Sequence, residues 1–500
     1  MAEPFYITTA ISYPNGPPHI GHAYEAIAAD AIARFMRGQG RDVRFQTGTD
    51  EHGLKMAQAA REEGAEPRPY AEKMSSLFKD MCDTLDVSYD RFIQTSHADH
   101  HRASQAIWTA MAEKGDLYLD AYAGWYSVRD EAFYEEGELE GGEGGTKLSP
   151  NGAPVEWTEE ASWFFKLSQY QQKLLDHYAA HPEFIQPDSR RNEVLRFVEG
   201  GLKDLSISRT SFDWGVPVPG SDDHVMYVWL DALTNYITGL GYPEEGELWR
   251  KYWPAAVHLI GKDVVRFHAV YWPAFLMSAG IALPRQVFGH GFLLSRGEKM
   301  SKSVGNVVDP MVLAERFGVD ALRYFLLREV PFGQDGSYSA EAIVARANAE
   351  LANSFGNLAQ RTLSMVFKNL DGIIPRPGDA PEDVKLLEIV RTACAEEVPE
   401  AFGRYAFSVG IETWMRAVFA CNAFVDAMAP WALRKTDPER MAAVLGTLVA
   451  SVKMLTEAIA PIIPGSAERL LSAIAAGEGG KPIAQPVPLF PRLELEEGDE

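Results

Sequence analysis

A strand, a turn, a helix and a second strand are predicted within residues 5–47, FYITTAISYPNGPPHIGHAYEAIAADAIARFMRGQGRDVRFQT. Residues 5–11 form a short apolar run rich in β-forming side chains, and it ends in the proline-rich turn of residues 12–18. Apolar side chains then recur at helical spacing over residues 21–36, and residues 43–47 read as the next strand. A strand–helix–strand unit implies a parallel sheet, so the first half of the chain is predicted to be α/β.

Length and composition restrict the class of protein. A chain of 500 residues is too long for one compact core, and its 46% hydrophobic and 23% charged residues are ordinary for a globular protein. No basic segment followed by an apolar one opens the sequence, and no run of about eighteen apolar residues occurs. We therefore expect neither a secretory signal nor a membrane span. Three widely separated cysteines, Cys82, Cys394 and Cys421, favour reduced thiols in the cytoplasm over a disulfide framework.

The net charge of −23 argues, as an average, against a nucleic-acid partner. Phosphate binding depends on Lys and Arg, and the chain has 47 of these against 70 acidic residues. The imbalance is concentrated, because residues 113–160 carry 13 acidic and 3 basic side chains. Five more acids lie in the C-terminal tail, at Glu494, Glu496, Glu497, Asp499 and Glu500. The rest of the chain is much closer to neutral.

The first motif that carries chemistry is His19-Ile20-Gly21-His22, directly after the proline turn and at the start of the predicted helix. A helix N-terminus offers unpaired N–H groups and a positive dipole end, which suit phosphate. Two imidazoles three residues apart can donate to phosphate oxygens, and Gly21 allows a base or ribose to approach the backbone. The alternative is a pair of surface histidines near a helix cap.

The second motif is the loop Lys299-Met300-Ser301-Lys302-Ser303. Two lysines three residues apart in a Ser- and Gly-containing loop can neutralise the charge that develops on a pyrophosphate leaving group. The alternative is a solvated basic loop.

Both motifs are signatures of class I aminoacyl-tRNA synthetases, and the chain resembles the bacterial methionyl-tRNA synthetases over nearly its whole length. The supporting segments are Ala10–Gly16, the His-Ile-Gly-His element, Thr49–Gly53, Tyr227–Ala232, Ile260–Asp263 and the Lys-Met-Ser-Lys-Ser loop. The resemblance implies a Rossmann-like parallel-sheet catalytic domain, interrupted by a small β-rich connective module and followed by an all-α anticodon-binding bundle. It also implies a ligase that activates L-methionine with ATP and transfers the methionyl group to the 3′ end of tRNA(Met), elongator and initiator.

The domain boundaries are predicted from changes in composition and periodicity, with the roles taken from the resemblance. They are a first catalytic half at 1–112, the inserted module at 113–224, a second catalytic half at 225–292, the lysine loop with a stem-contact region at 293–340, the helical anticodon-binding domain at 341–475 and an extended tail at 476–500.

The resemblance implies a methionine pocket in which Asp50 pairs with the substrate ammonium. The aromatic residues would close around the thioether, because its polarizable sulfur packs well on rings. Tyr13 and His268 would supply weak polar contacts to the sulfur and so reject Leu or Ile. The implied pocket consists of Ala10, Ile11, Tyr13, Asp50, Trp229, Leu233, Tyr236, Val264 and His268. Trp229, Leu233 and Tyr236 are also readable as core residues of one helix, and Leu233 replaces a proline found in some family members.

The ATP site is implied to use the phosphate-binding groups of both motifs. Asp263 and Glu25 would hold the ribose, although surface carboxylates are the alternative for both. The implied residues are His19, Gly21, His22, Glu25, Gly261, Asp263, Lys299 and Lys302, with the two histidines and two lysines as catalytic groups. Mg²⁺ would arrive with ATP and not sit in a protein cage. The sequence contains neither Gly-x-Gly-x-x-Gly nor a P-loop, so a dinucleotide enzyme or P-loop ATPase is not supported.

A third constellation lies in the helical part of the chain. Asn353, Asn357 and Arg361 are four residues apart, so they are predicted to line one stripe of a helix. Amides and guanidinium groups can read the edges of unpaired bases, and Trp431 can stack on a splayed base. The resemblance implies that these four residues read the methionine anticodon. The alternatives are solvated asparagines and a core tryptophan.

The chain departs from many relatives at the zinc-binding positions of the inserted module. Ser127 and Asp130 stand at the first cysteine pair, and the second pair falls near Leu148 and Asn151. A tetrahedral site needs four suitable ligands. We therefore predict no structural zinc and no other protein-bound metal. Packing of Trp125, Tyr126, Phe133 and Trp157 is expected to stabilise the module instead.

Other functions fit the sequence less well. Leucyl- and valyl-tRNA synthetases are usually much longer than this chain because they contain an editing insert. Cysteinyl-tRNA synthetases carry thiolate zinc ligands, which this sequence lacks. A small-molecule nucleotidylyltransferase would not need a helical domain with Asn353, Asn357, Arg361 and Trp431. A non-catalytic tRNA-binding paralogue would not need the histidine motif and the lysine loop. Longer relatives carry a further C-terminal domain that dimerises or binds tRNA. Because the 500 residues leave no room for such a domain after the helical one, a monomer is expected. The acidic module and tail are expected to face away from the tRNA.

Overall fold

The computed structural model describes residues 2–130, 132–142, 145–295, 298–299 and 307–495. The chain forms two units. The first comprises Met1–Pro18, Gln39–Asp83 and Ser88–His290, and the second comprises His19–Gly38, Thr84–Val87 and Gly291–Glu500.

A six-stranded parallel sheet organises the first unit. In spatial order its strands are Arg91–Gln94, Asp42–Thr49, Pro4–Thr9, Ala256–Gly261, Gln286–His290 and Ile185–Gln186. Ile7 pairs with Phe45 on one side and with Val257 on the other. The order of strands reverses at Pro4–Thr9, which creates the switch point where open α/β sheets bind ligands beyond their carboxyl ends.

The predicted α/β class follows from the strand composition. All six residues of Ala256–Gly261 are buried, as expected where helices cover both faces of a parallel sheet. The α-helices of this unit are Leu54–Glu62, Pro67–Thr84, Ala98–Glu113, Gln171–Ala180, Asp188–Glu199, Val228–Thr238, Glu247–Tyr252 and Trp272–Ala279. The second catalytic half predicted from residue 225 begins with a two-residue strand, Val225–Met226, which the helix Val228–Thr238 follows.

The inserted stretch builds an antiparallel sheet. Leu117–Ser127 pairs with Glu156–Phe165 over ten residue pairs, and Ala132–Tyr134 and Leu205–Ser206 flank them. Shorter paired strands are Glu140–Gly141 with Lys147–Leu148 and Ser208–Arg209 with Val225–Met226. Trp125 meets Trp157 edge to face at 5.4 Å, and Tyr126 is buried. The side chain of Phe133 lies outside the described part.

The second unit is largely helical. Its helices are Ile20–Gly38, Pro310–Phe317, Val319–Glu329, Ala340–Arg346, Ala347–Gly356, Asn357–Asn369, Pro381–Thr392, Ala393–Glu397, Val398–Gly403, Phe407–Met428, Pro430–Thr436, Pro438–Ile459 and Pro464–Ala475. Leu293–Ser295, Glu298–Lys299 and Gly336–Tyr338 form a small sheet. Ala347–Gly356 and Ala393–Glu397 are π-helical, which three- and four-residue apolar spacing does not distinguish from α-helix.

Pro438–Ile459 is the central helix of the bundle. By length and composition it is the one helix of the described chain apolar enough to cross a membrane. Within the protein, however, 61% of its most apolar eighteen-residue window is buried. It packs against Asn357–Asn369, Pro381–Thr392 and Phe407–Met428. Its apolar character is therefore that of a core helix.

Candidate active site

The first group of candidate residues lies at the switch point of the parallel sheet. Ala10 and Ile11 continue the strand Pro4–Thr9, and Asp50 directly follows the neighbouring strand. The Asp50 N–H donates to the carbonyl oxygen of Ser12 at 2.8 Å, which joins the two segments beyond the sheet. Asp50 is only 7% exposed. A carboxylate so buried is suited to pairing with a ligand ammonium.

The helix Val228–Thr238 supplies three more of the candidates. Leu233 and Tyr236 are buried in the core of the first unit, and Trp229 is half-buried against it. The Trp229 ring stacks on Phe267, with centroids 3.7 Å apart and planes inclined by 6°. Its indole Nε1 is buried and has no hydrogen-bond partner among the described residues. The same side chains thus serve as core and as a wall of the candidate site.

Tyr236 and His268 form a polar pair in this wall. The Tyr236 hydroxyl lies 2.5 Å from His268 Nε2, and His268 Nδ1 lies 2.9 Å from the carbonyl oxygen of Val264. Since a carbonyl only accepts, Nδ1 carries the ring proton and Nε2 accepts from the tyrosine. Burial lowers the pKa of His268 to about 4, so the ring is neutral near pH 7. Both ring nitrogens are therefore engaged within the protein, with Nδ1 donating to Val264 and Nε2 accepting from Tyr236.

Tyr13 is held by the segment that follows Asp50. Its hydroxyl oxygen accepts from the Met56 N–H at 3.1 Å, and the Lys55 ammonium lies 5.4 Å from its ring centroid. Tyr13 is therefore hydrogen-bonded to the helix Leu54–Glu62 at one edge of the candidate pocket.

Asp231, His52 and His100 are functional candidates that the sequence analysis missed. Asp231 and His52 lie within the quoted motifs, whereas His100 lies outside them. The Asp231 carboxylate lies 2.6 Å from His52 Nδ1 and 2.6 Å from His100 Nε2, and all three side chains are buried. Burial alone would raise the pKa of Asp231, but the two histidines hold it well below its usual range. The carboxylate thereby joins the segment after Asp50 to the helix that bears Trp229.

A second group of candidates lies at the start of the helix Ile20–Gly38, in the second unit. The Gly21 N–H donates to His19 Nδ1 and the His19 N–H donates to His22 Nδ1, each at 3.1 Å. The two rings lie 3.8 Å apart. Because both Nδ1 atoms accept, each neutral ring carries its proton on Nε2, the correct form for donating to a phosphate oxygen.

Gly21 is required by this geometry. A Cβ at position 21 would lie 2.8 Å from His19 Cε1, so any larger residue would displace the ring. Glu25 lies one turn further along the same helix and is half-buried.

Of the lysine loop, only Lys299 lies among the described residues. Lys299 lies in the short strand Glu298–Lys299, whose backbone pairs with Leu293–Ser295. Lys302 lies outside the described residues. After the loop, the carbonyl oxygen of Val308 accepts from the Ile20 N–H at 2.9 Å, which ties the returning chain to the histidine motif within the second unit.

The remaining ATP candidates lie at the other strand of the switch point. Gly261 ends the strand Ala256–Gly261, and Asp263 and Val264 follow in a short 3₁₀ turn. A Cβ on Gly261 would lie 2.7 Å from the Asp263 carboxylate, so glycine permits this turn. Asp263 is exposed and Val264 is half-buried.

A third group forms a polar stripe in the helical part of the second unit. Asn353, in the π-helical segment, and Asn357 and Arg361, in the following α-helix, are all exposed. The Arg361 guanidinium lies 5.5 Å from the ring centroid of Trp431, which is 49% exposed. The structure therefore brings two of the four predicted anticodon residues into contact.

Hydrogen bonds connect the residues that stand where many relatives have zinc-binding cysteines. The Asp130 carboxylate accepts from the hydroxyls of Ser149 at 2.5 Å and Tyr134 at 3.0 Å, and its N–H donates to Ser127 at 3.2 Å. No cluster of three or more His, Cys, Asp or Glu suited to a metal occurs in the described ranges. Hydrogen bonds therefore link Ser127, Asp130, Tyr134 and Ser149.

Two family descriptions match the chain. Residues 5–363 match "tRNA synthetases class I (M)", and residues 410–486 match "Anticodon binding domain of methionyl tRNA ligase". The second match covers part of the helical unit but begins after the exposed stripe at Asn353.

Full-length relatives are similar to the chain over almost all of their length. A methionine–tRNA ligase of Brucella suis biovar 1 (strain 1330) is 56% identical, covering 98% of each chain. That of Mycobacterium bovis (strain ATCC BAA-935 / AF2122/97) is 53% identical with the same coverage. The solved structure of Mycobacterium tuberculosis methionyl-tRNA synthetase in complex with methionyl-adenylate is 55% identical, with a TM-score of 0.95, covering 98% of this chain and 100% of that one.

Proposed function

Because the chain belongs to the class I methionyl-tRNA synthetases and is a methionine–tRNA ligase, we propose a role for each group of candidate residues in its two-step reaction. In the first step the methionine carboxylate displaces pyrophosphate from the α-phosphorus of ATP. In the second step a ribose hydroxyl at the tRNA 3′ end takes the methionyl group from the adenylate. No protein nucleophile is needed, so positioning and charge stabilisation supply the rate.

The methionine pocket is assigned to the residues at the sheet switch point. Two observations carry this assignment, both in the first unit: the buried Asp50 carboxylate that follows the strand Asp42–Thr49, and the aromatic wall of Trp229, Phe267 and Tyr236. Asp50 binds the ammonium, and the rings pack around the thioether. Ala10, Ile11, Tyr13, Leu233, Val264 and His268 complete the pocket.

The phosphate-binding role is assigned to His19 and His22, supported by the Nε2–H tautomer that their backbone contacts impose. Lys299 and Lys302 neutralise the pyrophosphate side in the transition state. Asp263, Gly261 and Glu25 bind the nucleoside, and Mg²⁺ enters with ATP as part of the substrate.

ATP–pyrophosphate exchange with each of the twenty amino acids tests the methionine assignment. Methionine alone should support rapid exchange. Exchange with another amino acid in its place would contradict the proposed pocket. An Asp50→Asn variant should raise the methionine KM by about tenfold or more while leaving the ATP KM nearly unchanged, because it removes only the ammonium partner.

We also propose that the enzyme acts as a cytoplasmic monomer on both elongator and initiator tRNA(Met). The three cysteines are free thiols, and burial raises the pKa of Cys394 and Cys421 to about 12, as suits unreactive thiols in a reducing compartment. Light scattering should give one chain mass of 55.4 kDa. Twice that mass would exclude a monomer.

A further inference from the structure

A cavity of about 410 Å³ opens at the start of the helix Ala98–Glu113, in the first unit. None of the residues that line it has a role in the assignments above. They are Arg68, Ser96, His97, Ala98, His101, Arg102 and Gln105. Four of these seven side chains are basic or imidazole groups and none is acidic. In a chain of net charge −23, two arginines without an acidic residue in the same lining are a local excess of positive charge.

The two arginines differ in how firmly they are held. The Arg68 guanidinium donates to the carbonyl oxygen of Ser96 at 3.1 Å and lies 5.6 Å from the Trp214 ring centroid. Arg102 has Glu244 as a partner at 3.7 Å, and both side chains are at least 60% exposed. An exposed pair at that distance neutralises little charge. Arg68 is therefore a fixed cation and Arg102 a mobile one.

His101 adds a polar group to the cavity wall. Its Nε2 atom is buried and has no hydrogen-bond partner among the described residues. Burial, with a further contribution from His52, lowers the pKa of His101 to about 4, so the ring is neutral. A neutral imidazole offers one N–H donor, which an anionic oxygen can accept.

The cavity is joined to the segment assigned to the methionine ammonium. The His101 ring meets the His52 ring edge to face at 5.2 Å, and the Ser96 hydroxyl donates to the Glu51 carboxylate. Glu51 and His52 directly follow Asp50 in the chain. Two residues of the cavity wall, Ser96 and His101, therefore contact the segment that directly follows Asp50.

Besides ATP, a second anion must approach the proposed methionine site during the reaction, namely the phosphodiester backbone of the tRNA 3′ end. In the transfer step the terminal ribose of tRNA must reach the methionyl carbonyl, so the last phosphodiesters of its single-stranded end must lie near Asp50. We propose that this cavity binds the phosphodiester backbone of the tRNA 3′ end, with Arg68 and Arg102 as its contacts. The proposal rests on the methionine pocket assigned above.

The test is a charge reversal at the exposed arginine. Arg102→Glu should raise the tRNA KM in aminoacylation by about tenfold and reduce its salt dependence. Methionine-dependent ATP–pyrophosphate exchange should stay within about twofold of the parent, since no tRNA takes part. Arg404→Glu is the matched control, because Arg404 is 62% exposed and has one acidic partner at 3.6 Å.

A truncated tRNA separates 3′-end binding from general attraction. The Kd should be measured for tRNA(Met) and for a transcript lacking its four 3′-terminal nucleotides. Arg102→Glu should weaken binding of the complete tRNA several-fold and leave the truncated one unchanged. Equal weakening of both, an equal effect of Arg404→Glu, or no effect would overturn the proposal. Loss of methionine-specific exchange in the unmodified enzyme would instead contradict the pocket assignment.

Arg68 provides a second variant that keeps the cavity filled. Arg68→Lys retains the charge but removes the fork that donates to Ser96. It should weaken binding of the complete tRNA less than Arg102→Glu does, and again spare the truncated one. A stronger effect on exchange than on tRNA binding would show that Arg68 only supports the fold and would overturn its assignment as a contact.

Discussion

The Arg361 guanidinium lies 5.5 Å from the ring centroid of Trp431, although seventy residues separate the two in sequence. The helix Phe407–Met428 ends at Ala429 in the left-handed region, at φ 43°, and Pro430 starts the next helix. This break places an exposed indole beside the polar stripe. The contact joins an aromatic stacking surface to a charged group, the combination that recognises unpaired bases.

Trp431→Ala is expected to spare methionine activation and impair tRNA charging. The tRNA kcat/KM should fall about tenfold or more, because base stacking is lost, while ATP–pyrophosphate exchange remains unchanged. Phe419→Ala is the control, since Phe419 is a similarly exposed aromatic, at 54%, in the same unit. If exchange falls as much as charging, the anticodon assignment is wrong.

Lys302→Ala is expected to lower the exchange rate by about two to three orders of magnitude, since it removes stabilisation of the transition-state charge. The effect should appear in kcat, with the methionine KM little changed. Lys481→Ala removes an exposed lysine from the tail and serves as control. A normal kcat in Lys302→Ala would leave the leaving-group role without support.

Tyr236→Phe tests the polar pair in the methionine pocket. Loss of the hydroxyl leaves buried His268 Nε2 without its donor, so the methionine KM should rise by about tenfold while the ATP KM stays constant. Tyr170→Phe also removes a buried hydroxyl, one that bonds to Asp116, and should leave the methionine KM unchanged. A similar rise in the methionine KM of both variants would show that the effect comes from general destabilisation of the fold and not from the pocket.

Asp231→Asn is expected to lower the free energy of unfolding by about 3 kcal/mol or more, because two buried histidines lose their charged partner. The pKa of Asp231 is depressed in the folded chain. Its stabilisation is therefore complete above the ordinary carboxyl pKa of about 4 and declines as the pH falls below that value.

Urea unfolding at a series of pH values measures this contribution. The stability difference between the parent and Asp231→Asn should be constant near neutral pH and shrink below about pH 4. Asp223→Asn alters an exposed carboxylate and should show no such difference. A difference that grows on acidification would contradict the role given to Asp231.

Zinc content tests the network around Asp130. Atomic absorption on the purified enzyme should find far less than one zinc per chain, and chelation should change neither stability nor exchange. A stoichiometric zinc ion would refute the prediction. Asp130→Ala should destabilise the module by about 1–3 kcal/mol, because it leaves the buried Ser149 hydroxyl without its acceptor.

Much of the site was predictable because its residues belong to local motifs. His19, Gly21 and His22 stand together, Asp50 follows a recognisable strand, and both lysines share one loop. Apolar strands and amphipathic helices likewise have periods that can be read along the chain, which is why the α/β sheet and most of the bundle were expected. The π-helical segments were not expected, since three- and four-residue apolar spacing does not distinguish them from α-helix.

The partners of these residues depend on contacts between distant segments. His52 and His100 reach one carboxylate at Asp231 from two other elements, and Phe267 covers Trp229 from 38 positions away. Arg68 and Arg102 line one cavity from separate helices. Residue type and order are enough to indicate a chemistry when the groups are neighbours in the chain. Pairing, tautomer and burial arise only when the sheet and its helices pack, because hydrogen bonding and desolvation act through space and not along the sequence.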